Sequence, residues 1–232
     1  MRRETLARLT GVAYLGMLPG GIGGFLVLRP QLVGETADAT LANAVAHQDL
    51  ARLAVAGMMS VILAQALAAL GFYALYRRVR PVEALGIAGF GLVNAAAILA
   101  GAAASWTALE LAGSGDPGTA SLVHALYAFE GHAWGVGNLF FGLWLVPMGW
   151  AAVKTGYFHA GRVLGAILVI GGVGYVAAAF LALWPAAVDA KIPDLLALPA
   201  TVGELWTMVA LIAVGVRRDH LAPGGEEGTI PA

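Results

Sequence analysis

Of the 232 residues, 59% are apolar, a further 32 are glycine and only 12% are charged, with a mean hydropathy of +0.80. An ordinary soluble domain is about 45–50% apolar with glycine included, so there is too little polar material to cover a water-soluble globule, and the main solvent is lipid. The absence of cysteine excludes a disulfide framework, thiol chemistry, iron–sulfur ligation and Cys-based zinc sites. A formal charge of −1 with short, scattered basic segments leaves no footprint for nucleic acid.

A spanning helix needs about 20 mainly apolar residues, and six windows supply them, which predicts an all-α polytopic protein with its six helices in one bundle. The first window, 9–28, follows Met1-Arg2-Arg3 but exceeds the roughly 7–15 residues of a cleavable signal core, and Ala37-Asp38-Ala39 lies too far beyond it to serve as its cleavage site. It carries Gly16, Gly20 and Gly24 at four-residue spacing, a stripe that lets helix backbones approach closely. Pro19 should kink it. The connection 29–52 contains a helical stretch from Thr40 to His47 that suits the membrane surface. Windows 53–76 and 84–109 follow, the second with Gly91, Asn94, Gly101 and Ser105 on one small polar stripe.

The turn run Gly113-Ser114-Gly115-Asp116-Pro117-Gly118 then leads to the window 130–153. From Thr119 onward the helical pattern is already continuous, so the fourth helix should project beyond the bilayer. Windows 163–184 and 198–216 complete the set, with Gly161 and Gly165 repeating the small-residue device. Such stripes serve packing inside one bundle or a homodimer interface. Residues 1–219 are expected to form a single six-helix domain, and residues 220–232 a disordered cytoplasmic tail.

Orientation follows from Lys and Arg. Ten of the thirteen fall on the side of the N-terminus, the 77–80 and 154–162 connections and the tail, against Arg29, Arg52 and Lys191 opposite. The positive-inside rule then puts both termini in the cytoplasm and the chain in the cytoplasmic membrane.

Polar groups within spans are expensive and are functional candidates by default. Counting from Arg217 puts Glu204 about 20 Å up, inside the outer leaflet, and counting from Lys154 puts Glu130 about 36 Å up, at the outer interface. There Glu130 is either solvated or, if the helix tilts, part of the bundle. Asn138 lies near the depth of Glu204, while Gln65 and Asn94 lie near the midplane, where amides glue helices or hold a substrate. On the fourth helix Glu130, Trp134, Asn138, Phe141 and Trp144 share one stripe, and His132 points away from Glu130. On the sixth, Thr201, Glu204, Thr207, Met208 and Leu211 share an arc that should face the fourth helix. Trp106, Trp150 and Trp184 suit the aromatic belt, whereas Trp144 and Trp206 fall near the midplane.

Metal and cofactor chemistry find no footing. His124 and His132 are separated by a rise of about 12 Å, too far to ligate one ion. No spanning lysine, Walker motif, GxSxG or HExxH occurs.

Several stretches resemble a widespread bacterial family. They are Ala7-Arg8-Leu9-Thr10-Gly11-Val12-Ala13-Tyr14-Leu15, the run His132-Ala133-Trp134-Gly135-Val136-Gly137-Asn138 with Leu139-Phe140-Phe141-Gly142-Leu143, and Lys154-Thr155-Gly156-Tyr157. Arg162-Val163-Leu164-Gly165, Gly171-Gly172-Val173-Gly174-Tyr175 and Pro199-Ala200-Thr201-Val202-Gly203-Glu204-Leu205 complete the set. That family comprises six-helix integral membrane proteins known only as a domain of unknown function. The resemblance implies six spans and no assigned reaction, and it marks His132, Asn138 and Glu204 as motif positions. Gly161 stands where family members often carry proline.

With phosphate, thiol and metal motifs absent, acid–base chemistry is the mechanism left. Apolar surroundings favour the proton-bearing form of a carboxyl group, and aromatic faces stabilise cations. The expectation is therefore a membrane enzyme acting on a lipophilic substrate, of the kind that protonation-initiated isoprenoid cyclisation requires. Glu204 or Glu130 is the acid, and Trp134, Asn138, Phe141, Trp144, Tyr175, Asn94 and Gln65 are the substrate contacts. A proton-coupled transporter of small amphipathic molecules using the same carboxyls is the alternative, although no inverted repeat is visible. A non-catalytic scaffold or sensor is the third.

Overall fold

The computed structural model describes residues 2–184, 189 and 191–216; the expectation for the tail 220–232 lies outside the described residues. Those residues contain helices and no strand. Six helical segments are long and apolar enough to cross a membrane: α1 (Arg3–Leu32), α3 (Gln48–Tyr76), α4 (Pro81–Gly113), the segment Pro117–Thr155, α6 (Gly161–Leu181) and α7 (Lys191–Ala213). Between the first two lies α2 (Ala37–Ala46), where a surface helix was expected. Thr36 starts it by accepting the Ala39 N–H, a side-chain cap for an otherwise unmet donor. The fourth spanning helix proper, α5 (Ala120–Thr155), has 36 residues, about 54 Å of helix against a hydrocarbon core of about 30 Å, so it outruns the bilayer.

The first helix departs from its sequence reading in two ways. α1 continues past Leu28 to Leu32, which takes Arg29 out of the loop and into the helix. Pro19 also does more than kink it. Directly after this proline, Gly20–Leu28 widens to π-helical pitch, and the Arg29 N–H bonds to the Gly24 carbonyl. Proline supplies no N–H, and the glycines that follow add no Cβ to resist the wider turn.

Contacts divide the chain into two compact units. Unit 1 holds Met1–Leu15, Ala66–Val93 and Asn138–Ala232. Its helices meet through glycine. Gly142 and Gly149 of α5 face Gly172 and Gly165 of α6, each seated on a backbone carbonyl of the other helix. Gly161 likewise seats on the Ala152 carbonyl of α5, so the Gly161 and Gly165 stripe packs within the chain, and Gly172 extends it by seven residues. Gly171 and Gly174 seat the backbone of α7 at Ala200 and Leu196, and Gly11 of α1 meets Leu211 and Ile212. A Cβ at position 174 would run into the Leu196 carbonyl, whereas one at Gly89, on the exposed side of α4, would meet nothing. Gly174→Val should therefore lower stability by about 1–3 kcal/mol, while Gly89→Ala should be neutral or raise it by up to about 1 kcal/mol; melting in detergent measures both.

Unit 2 holds Gly16–Gln65 and Asn94–Gly137. Here Gly20 and Gly24 of α1 pack on Gly57 and Ala54 of α3, so this stripe is covered within the chain. Thr40 fastens α2 by bonding to both backbone groups of Gly34 and, at 2.8 Å, to His124 Nδ1. Leu32, Ala44, Ala51, Ala108, Val123 and Tyr127 form its buried core.

Candidate functional site

In unit 1, α1 and α7 run antiparallel, since Gly11 meets Leu211 while Tyr14, one turn on, meets Glu204. The Tyr14 hydroxyl donates to Glu204 Oε1 at 2.6 Å. Tyr14 is fully buried and the glutamate half-buried. Expected to face the fourth helix, the carboxyl is met instead by the first. Angles on a single helix order its own side chains but carry no information about which neighbour it packs against. Thr207, Met208 and Leu211 share the buried arc, whereas Thr201 lies exposed at its edge.

Aromatic rings surround the phenol. Tyr14 lies 5.1 Å from Trp144 and 5.8 Å from Phe72 between ring centroids, and Phe141 lies 5.5 Å from Trp144 and 5.1 Å from Tyr175. Trp144 is fully buried. Gly91 makes room for its indole. Three of the expected contacts, Phe141, Trp144 and Tyr175, thus belong to one group with Glu204, and Asn138 is half-buried in the same unit.

Glu130 and Trp134 belong to unit 2. Glu130 is 2% exposed, which removes its solvated alternative. Arg29 Nε donates to its Oε2 at 2.5 Å, and a terminal nitrogen of the same guanidinium donates to the Tyr127 carbonyl at 3.1 Å. Arg29 also lies over the Phe25 ring, which stacks on Trp134 with centroids 4.2 Å apart. Gly131 permits this, because a Cβ there would meet the guanidinium at 2.6 Å. The stripe read from the helical wheel of α5 is real as a stripe, but it serves two groups.

The remaining candidates are structural in their contacts. Asn94 Nδ2 donates to Gln65 Oε1 at 2.8 Å, an amide pair buried between α4 and α3. His132 is exposed, and His124 is engaged by Thr40. Among the described residues no three His, Asp or Glu side chains come together as metal ligands. Trp106, Trp150 and Trp184 are exposed, as belt residues would be.

Two residues of these groups escaped the sequence. Arg29 was hidden because Arg29-Pro30 looks like the start of a loop. Tyr14 carried a usable signal: eleven residues from Arg3 is about 16 Å of rise, within about 3 Å of the depth counted for Glu204.

One family matches the chain over residues 9–215, the one described as "Domain of unknown function (DUF4386)". The chain belongs to this family. The DUF4386 match runs from within α1 to just past α7, so Tyr14, Arg29, Glu130, Trp144 and Glu204 all fall inside it. No curated protein and no solved structure matches the chain.

Proposed function

We propose that the chain is an integral membrane enzyme that acts on a lipophilic substrate by acid–base chemistry, with Glu204 as the acid and Tyr14 as the residue that orients it. The observation that carries this is the 2.6 Å Tyr14–Glu204 hydrogen bond within a spanning segment and beside Trp144, Phe141 and Tyr175. An intramembrane carboxyl in such company is a functional candidate by default. Because the phenol donates to Oε1, the acid proton rides on Oε2.

An uncharged prenyl epoxide is the substrate class that suits the site: it dissolves in the bilayer and needs no phosphate-binding group. The proton passes from Oε2 to the epoxide oxygen, and the C–O bond breaks with its electron pair remaining on oxygen. An alkene electron pair of the same molecule closes the ring on the resulting carbon centre. Loss of a proton from carbon to the carboxylate restores Glu204 and leaves a neutral cyclic alcohol. The aromatic faces stabilise the passing cation, by about 2 kcal/mol or more where it is desolvated. In this scheme the Arg29–Glu130 pair and the Asn94–Gln65 pair fix helices.

The test is incubation of the purified protein with a panel of prenylated epoxides, with products read by chromatography and mass spectrometry. Conversion to cyclic alcohols supports the proposal. No conversion together with substrate-dependent proton flux in proteoliposomes would replace it with the proton-coupled transporter, for which Glu130 and Glu204 would be the proton sites.

The basic-residue split supports cytoplasmic termini and residence in the cytoplasmic membrane. In this Cys-free chain, cysteine at Val79 should then label only from the cytoplasmic side and cysteine at Gly115 only from the outside. Labelling of both from one side would overturn the orientation.

A further inference from the structure

A second feature of unit 1 involves neither Tyr14 nor Glu204. Tyr157, Phe158 and His159, from the connection between α5 and α6, join Trp206, Ala210 and Ala213 of α7 around an apolar cleft of about 210 Å³. His159 lines it and is exposed. Lys154, in the last turn of α5, and Arg162, at the start of α6, lie three residues along the chain from Tyr157 and His159 and are exposed, and the Lys154 ammonium lies 4.9 Å from the centre of the Trp150 ring. Burial pushes the Tyr157 hydroxyl above the usual phenol range, and the nearby Arg3 guanidinium opposes that push. Glu4 is the acidic neighbour, packed beside Gly215 at the end of α7. The Tyr157 ring stacks on Tyr76 with centroids 5.6 Å apart, and its buried hydroxyl has no hydrogen-bond partner among the described residues.

We infer that this cleft holds an acyl chain of an anionic glycerophospholipid, with the lipid phosphate among His159, Arg162, Lys154 and Arg3. An apolar slot bordered by cations has the two halves such a lipid needs, since the chain leaves lipid for a surface of equal apolarity and the head supplies the discrimination. A zwitterionic lipid presents the same chain, but its own cation balances the phosphate.

The test is lipid retention by the full-length protein, purified in detergent, exposed to phosphatidylglycerol or phosphatidylcholine of identical chains and read by native mass spectrometry. The wild type should retain phosphatidylglycerol preferentially. Removing cations in the pair Lys154→Ala and Arg162→Ala should reduce that preference by about fivefold per cation and leave phosphatidylcholine retention unchanged. Ala213→Trp, which fills the cleft, should reduce retention of both lipids, while Ala103→Trp, on an exposed face of α4, should reduce neither. Melting curves confirm that each variant is folded. Equal retention of the two lipids by the wild type would overturn the inference, as would wild-type retention by a folded Ala213→Trp variant. Neither result depends on whether Glu204 is catalytic.

Discussion

Arg29→Met should destabilise the protein by about 3 kcal/mol, the lower end of what breaking a buried ion pair costs, because Arg29 keeps a quarter of its side chain exposed while Glu130 is 2% exposed. The loss comes from the partner left behind: a carboxylate among apolar residues, with the Tyr127 carbonyl also stripped of its donor. Glu130→Leu alone should likewise destabilise, by leaving the guanidinium unpaired over Phe25. The double variant Arg29→Met with Glu130→Leu should regain most of the loss, since an ion pair replaced by apolar side chains of similar volume is often neutral or better. Melting temperatures of the four proteins in one detergent form the double-mutant cycle that measures the coupling. Additive single effects would show that the pair contributes no more than its separate side chains.

Glu204→Gln should lower kcat by about 10²–10⁴-fold, the usual range for removal of a positioned acid, with melting close to wild type because glutamine can still accept the Tyr14 hydroxyl. Tyr14→Phe keeps the ring against Trp144 and Phe72 and removes only the donor, so its kcat should fall while KM changes little. A residue that merely packed would instead change stability and KM together. Wild-type turnover by Glu204→Gln would remove the acid from this site.

The spans were legible because length and apolarity are properties of one segment at a time. The surface helix around Thr40–His47 and the overlong α5 were legible for the same reason: helical pattern, cap chemistry and turn residues are local. Glu204 stood out as a carboxyl within a span. What the sequence withheld was pairing. That Tyr14 meets Glu204 depends on α1 packing antiparallel to α7 through Gly11, and that Gly142 and Gly149 meet Gly172 and Gly165 depends on which helices adjoin. Neither fact is periodic within a single helix. Arg29 was misread for a related reason. A charged residue beside proline has the local signature of a loop, and only its long-range partner Glu130 explains why the helix runs on to Leu32.

Turnover in deuterated water tests the central claim most directly, because an acid-initiated cyclisation exchanges protons with solvent at Glu204. With a polyene in place of the epoxide, protonation falls on carbon, and the cyclic product should carry solvent deuterium at a non-exchangeable C–H position in the wild type and fail to form with Glu204→Gln. A product free of solvent deuterium, or one formed equally by Glu204→Gln, would contradict the assignment of Glu204 as the acid.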